Sequence, residues 1–128
     1  MKQCLSAVSI IVSDYDKAID FYCQKLGFEL LEDIDQGRKR WVTVRPKGAT
    51  ETQIVLAQAS NEAQQKLIGQ QGADRVWLFL QTDDFYRDHK AMLAKGVKFL
   101  ESPREEPYGI VAVFEDEFGN KWDLIEKR

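Results

Sequence analysis

The chain has 128 residues, 44% of them hydrophobic and 30% charged, with a formal net charge of −3. That is the size of one domain, enough to bury about two-thirds of its unfolded surface, and the balance is that of an ordinary globular protein. The acidic excess leaves no basic patch, so no nucleic acid is expected as a partner; no run approaches the ~20 apolar residues that span a bilayer, so no membrane is expected either.

The opening stretch, MKQCLSAVSIIVSDYD, reads as an apolar strand that Asp14 interrupts too early for a signal peptide. A cytoplasmic location is therefore expected. Cys4 and Cys23 are the only cysteines and form no C-x-x-C, which reads as two reduced, packed thiols.

After Asp14 the spacing predicts a helix of about a dozen residues, with Ala18, Phe21, Tyr22 and Leu26 on one stripe and Gly27 as its stop. Strand candidates follow at FELLED, at Arg40–Arg45 (RWVTVR) and at Thr52–Ala57 (TQIVLA). A polar, Gln-rich joint, QASNEAQQKLIGQQGADR, reads as a short exposed helix and a loop. The order then repeats. An apolar strand, VWLFLQ, ends at Asp83 or Asp84. The helix after it carries Phe85, Met92 and Leu93 with His89 on the same side, and stops at Gly96. Further strands are expected at VKFLES, Ile110–Phe114 and Lys121–Ile125, the last pair joined by a turn from Glu115 to Asn120. The two copies are offset by 70 residues at the acids and 69 at the glycines, so one residue differs between them.

A twofold β-α-β-β-β pattern, with VSDYDKAIDFYCQKLGF near the front and VFEDEFGNKWDLIE at the end, resembles the vicinal oxygen chelate superfamily. That group includes glyoxalase I, extradiol dioxygenases and bleomycin-resistance proteins. The resemblance implies an α+β fold in which two βαβββ modules form curled mixed sheets around a shared cleft, often within a homodimer. The expected organisation is one domain over 1–128: module one at 1–58, a connecting segment at 59–74 and module two at 75–128. Each half needs the other's sheet, which argues for one cooperative unit.

In the family's enzymes the cleft holds a divalent metal on four side chains. Carried over residue by residue, those positions fall on Ala7, Val55 (with Gln53 on the same face), Trp77 and Asp123. Three of the four cannot ligate. Elementary chemistry agrees: a metal centre needs about three protein ligands, and the chain has one histidine, His89, placed mid-helix. No metal and no cofactor is therefore expected.

Strand alternation sorts the faces. With Val8, Ile10 and Val12 under a helix, Ala7, Ser9 and Ile11 face the cleft, as do Gln53, Val55 and Ala57. In the second half Val76, Leu78 and Leu80 take the helix side, leaving Trp77, Phe79 and Gln81, together with Asp123 and Ile125, for the cleft. Trp41 is open between the two faces. The segment ESPREEPYGIV, residues 101–111, reads either as a rim loop stiffened by Pro103 and Pro107, on which Arg104, Glu105, Glu106 and Tyr108 clamp the polar end of a ligand, or as a solvated hairpin connection whose charges pair with one another. The expected ligand-binding set is thus Ala7, Ser9, Gln53, Val55, Trp77, Phe79, Arg104, Tyr108 and Asp123.

Three functions fit these residues. The first is metal-independent binding of a small organic ligand in an apolar, aromatic cleft. The second is an enzyme: a glyoxalase-like lyase or isomerase or a dioxygenase, or a metal-free catalyst with Asp123 as general base. The third is a non-catalytic dimeric interaction module.

Overall fold

The structure, a computed structural model, describes all residues 1–128. It is an α+β fold with two curled mixed sheets of four and five strands, divided between two compact units, Met1–Ile68 and Gly69–Arg128. The division falls inside the segment expected to connect the two modules.

In the first unit, strand β1 (Ala7–Val12) leads into helix α1 (Tyr15–Ile19), followed by β2 (Glu29–Asp35), β3 (Arg40–Arg45), β4 (Gln53–Gln58) and the short, wholly unburied helix α2 (Glu62–Leu67). The sheet order is β1-β4-β3-β2, with β1 and β4 parallel and the remaining pairs antiparallel. Register puts Val8, Ile10, Ile54, Leu56, Val42 and Val44 on one face. Of these, Ile10, Leu56, Val42 and Val44 are completely buried, as are Ala18 and Tyr22 of the helical segment. The helical stripe read from the sequence is thus the one that packs.

That helical segment explains the one-residue mismatch between the repeats. Asp14 caps α1 by accepting from the Lys17 amide at 2.9 Å, and the chain remains helical past Ile19. Through Asp20–Lys25, however, the turn widens to π spacing: the Leu26 amide donates to the Phe21 carbonyl, five residues back, at 3.1 Å. A π-turn takes in one extra residue without shifting the flanking faces. The helix then closes at Gly27, whose φ of +77° lets the Phe28 amide reach the Tyr22 carbonyl at 2.9 Å.

The second unit repeats the plan with β5 (Leu78–Gln81), α3 (Phe85–Ala94), β6 (Lys98–Phe99), β7 (Arg104–Glu106), β8 (Gly109–Glu115) and β9 (Lys121–Lys127). The order is β5-β9-β8-β6, with β7 also pairing β8 and β5 parallel to β9. Asp84, not Asp83, caps α3, accepting from the Arg87 amide at 3.1 Å. Glu126 of β9 accepts from the Phe85 amide at 2.8 Å, placing a carboxylate at the positive end of the helix. Beneath α3 runs a chain of rings: Phe85–His89 at 5.4 Å, His89–Phe99 at 4.5 Å, Phe99–Phe114 at 5.6 Å and Phe114–Trp122 at 5.9 Å. Phe85 and Phe114 are fully buried, and truncating such a ring to alanine costs about 3–5 kcal/mol. Burial among these rings pushes the His89 imidazole's pKa down.

Four expectations need correction. Residues 101–111 are not a free loop: Arg104–Glu106 pairs back onto Gly109–Val111 as a tight hairpin, so the pairing of its backbone, not its prolines alone, holds it. The strand after α3 is only Lys98–Phe99. Leu93 is half-exposed because the buried line of α3 runs through Phe85, His89 and Met92, and one further residue rotates away from it. Cys4 is an exposed thiol, whereas Cys23 is half-buried; neither forms a disulfide.

Candidate functional site

Each sheet buries one face under its helix and leaves the other to whatever the residues there can do. In the second unit the centre of that other face is Asp123. It lies mid-strand on β9 with Phe79 of β5 and Val113 of β8 as its register neighbours, while Trp122 and Leu124 on either side of it point into the core. Gln81, Ile125, Val111 and Arg104 form the next row of the same face. Phe79 is 66% exposed, a large apolar ring beside a carboxylate.

Asp123 is in an uncomfortable position. Its Oδ1 is buried and has no hydrogen-bond partner. Burial pushes its carboxyl group above the usual aspartate range; the Arg104 charge offsets part of this and the Glu101 charge adds to it. A buried acceptor left unpaired costs about 1–3 kcal/mol. The neighbouring surface is concave: a depression of about 260 Å³ is lined by Asp74, Val76, Leu100, Glu101, Val113 and Lys121. The Lys121 ammonium donates to the Asp74 carbonyl at 3.1 Å.

Arg104 has little charge to spare. Its Nε donates to Glu101 at 2.9 Å and its Nη1 to Glu106 at 3.0 Å, and it is hydrogen-bonded to Tyr108 as well. Of the two roles considered for this segment, the structure displays the internally paired one. Tyr108 sits at the hairpin turn, half-exposed, with its carbonyl accepting from the Arg128 amide at 3.0 Å. Trp77 lies just before β5, half-buried. Its amide donates to the Lys121 carbonyl at 2.9 Å, and its Cβ is so close to Gly72 that a Cβ there would come within 2.6 Å. The strand begins only at Leu78, so alternation does not extend back to Val76, which lines the depression instead of facing the helix.

In the first unit the expected face is assembled. Ala7 pairs with Gln53, Ser9 with Val55, and Ile11 with Ala57. Val55 in turn pairs with Thr43, and Thr43 with Glu32. This puts Trp41, Thr43 and Arg45 on that face and settles the side on which Trp41 lies. Glu32 accepts from both Trp41 Nε1 and Thr43 Oγ1, each at 3.1 Å, and Thr43 is fully buried. Sequence reasoning did not single out Thr43, Arg45 or Glu32. The signal was present in RWVTVR, where Val42 and Val44 alternate with a tryptophan, a threonine and an arginine.

The Glyoxalase/Bleomycin resistance protein/Dioxygenase superfamily matches residues 5–124. The chain belongs to this superfamily. An uncharacterized protein of Shewanella frigidimarina is 50% identical to it, over 98% of this chain and 95% of that one. Among solved structures it is similar to UcmS2, with 33% identity, a TM-score of 0.85 and 98% of each chain covered. It is also similar to TnmS3, described as an antibiotic binding protein from Streptomyces sp. CB03234, with 32% identity, a TM-score of 0.79, and 99% and 98% of the two chains covered.

Membership makes the metal question concrete. The four residues that the sequence resemblance carries onto the metal-ligand positions lie on or beside paired strands, Ala7 and Val55 in the first unit and Trp77 and Asp123 in the second. A methyl, an isopropyl and an indole offer no lone pair to a cation, and a single carboxylate does not hold one. No group of three or more His, Cys, Asp and Glu side chains comes together to bind a metal. His89, the one imidazole, is half-buried and stacked on Phe85. The donor set does not fit the superfamily's metal.

Proposed function

We propose that this member of the superfamily binds a small organic ligand without a metal and without transforming it. The observation that carries this reading is Asp123: a mid-strand carboxylate whose buried oxygen has no partner, with Phe79 and Val113 as its register neighbours. A ligand bringing an N–H or O–H to Oδ1 would recover the unmade hydrogen bond, and Phe79 and Val113, with Val76 and Leu100 of the adjoining depression, supply apolar contact. The antibiotic-binding description of TnmS3 supports the same direction. A homodimer in the cytoplasm, organised as a single domain, completes the proposal.

The test is a thermal-shift screen of apolar aromatic compounds on chelator-treated protein, followed by titration of the hits against Asp123→Leu and Asp123→Asn. Leucine keeps the volume but removes the acceptor, so hits bearing a donor should weaken about tenfold or more; asparagine retains an acceptor and should cost much less. Equal affinities for all three proteins would sink the assignment.

A second reading rests on the raised carboxyl pKa of Asp123. A desolvated carboxylate is a stronger base, and metal-free proton abstraction from a bound carbon acid would use it. If any hit is turned over, Asp123→Asn should abolish turnover while sparing the fold; unchanged turnover would remove the base role.

A further inference from the structure

The exposed face of the first sheet carries a cation with nothing to pair with. Arg40, Arg87, Arg104 and Arg128 each form an ion pair with a carboxylate. Arg45, at the end of β3, forms none. It lies on the face that holds Trp41 and Thr43, it is half-buried, and its Nε is buried without an acceptor. The carboxylates within reach do not answer it. Glu29 is its register partner on β2, yet no ion pair forms. Glu32, the other acid on this face, is committed to Trp41 Nε1 and Thr43 Oγ1.

We infer that Arg45 is an anion subsite, and that the ligand is an aromatic acid: a flat apolar body with a carboxylate, sulfonate or acidic enol at one end. A guanidinium offers its Nε–H and a neighbouring N–H as a planar fork that matches two acid oxygens. A buried N–H with no acceptor is as costly as the unpaired carboxylate oxygen, and an anion repairs it. Four residues from Arg45, and about 13 Å along the strand, Trp41 presents an indole whose N–H is held by Glu32. That bond fixes the ring for apolar contact with the ligand body. The chain's net charge of −3 disfavours anions in general, so acid recognition here has to be local, and Arg104, the other arginine on an open sheet face, is already neutralised by Glu101 and Glu106.

This inference rests on the small-molecule-binding reading and can fail separately from it. The probes are 1-anilinonaphthalene-8-sulfonate and its uncharged counterpart N-phenyl-1-naphthylamine, titrated by fluorescence on chelator-treated wild type, Arg45→Met and Arg45→Lys. The sulfonate should bind wild type at least about tenfold more tightly than Arg45→Met, with Arg45→Lys between them, and added salt should weaken it. The uncharged probe should be unaffected by variant or salt. If the uncharged probe binds and the sulfonate is indifferent to Arg45, the anion subsite is wrong and the binding reading stands. Equal losses of both probes would assign Arg45 to packing and overturn the inference too. If neither probe binds wild type, both readings fall.

Discussion

At the scale of single residues, Asp123 sets the terms. Its folded-state pKa is raised above the ordinary aspartate value, chiefly by burial, so the folded protein holds that proton more tightly than the unfolded chain. The associated stability is therefore present in full below the unfolded pKa and is lost as pH rises through the raised folded one. Asp123→Asn removes the titration. The variant should melt above wild type at pH 7, and the advantage should shrink to nothing as both are acidified to about pH 3, below the unfolded value. Melting curves of the two proteins across that range check this, and a variant that melts below wild type at pH 7 would contradict it. Half of the residue's story was legible in the sequence: an acid in the run WDLI was anomalous, and parity put it on the same face as Phe79, though only the register pairs the two. Its unpartnered oxygen was not legible, because an absent donor is a property of the neighbours that folding brings. Thr43 and Arg45 went unread for another reason. In RWVTVR the apolar alternates command attention as the core side, and the polar ones pass as surface.

At the scale of elements, the repeat is the most informative feature. Asp14 with Gly27, and the acid pair Asp83–Asp84 with Gly96, marked both helices in the sequence because caps and positive-φ stops are local chemistry; which of the two acids caps α3 only the structure decides. The leftover residue between the copies had no assigned place until the π-turn at Asp20–Lys25 absorbed it. Deleting exposed Gln24 should convert that turn to regular α-helix, since it gives the first copy the length of the second. Deleting exposed Lys90 from α3 has no surplus to draw on and rotates the residues beyond it, Met92 among them, by about 100° off the core face. The first deletion should leave a folded protein melting within a few degrees of wild type, and the second should unfold it or lower its melting point far more. Circular dichroism melts compare them, and equal damage would refute the π-turn as the site of the extra residue. The segment around Arg104 left two readings open in the sequence, a clamping loop and a hairpin connection with paired charges, because its prolines and charges mask β-pairing; the partner strand makes it the hairpin.

At the scale of the whole molecule, the sequence pattern predicts one cooperative domain. Calorimetry should then show a single transition whose van't Hoff and calorimetric enthalpies agree; two separable transitions would mean that Met1–Ile68 and Gly69–Arg128 fold independently. The larger claim is that a member of a superfamily of metal enzymes and resistance proteins works here without the metal. Ala7, Val55 and Trp77 make that claim from sequence and Asp123 alone cannot reverse it. The most direct measurement is metal content of protein purified without chelators, joined to a melting series with nickel, zinc, iron and manganese. Anything that binds only the folded state at a hundredfold excess over its dissociation constant stabilises by about 2.7 kcal/mol, a shift of several degrees. The account predicts well below one equivalent of metal per chain and no metal-specific shift. One tightly bound metal per chain, with marked stabilisation by one of the four, would contradict it.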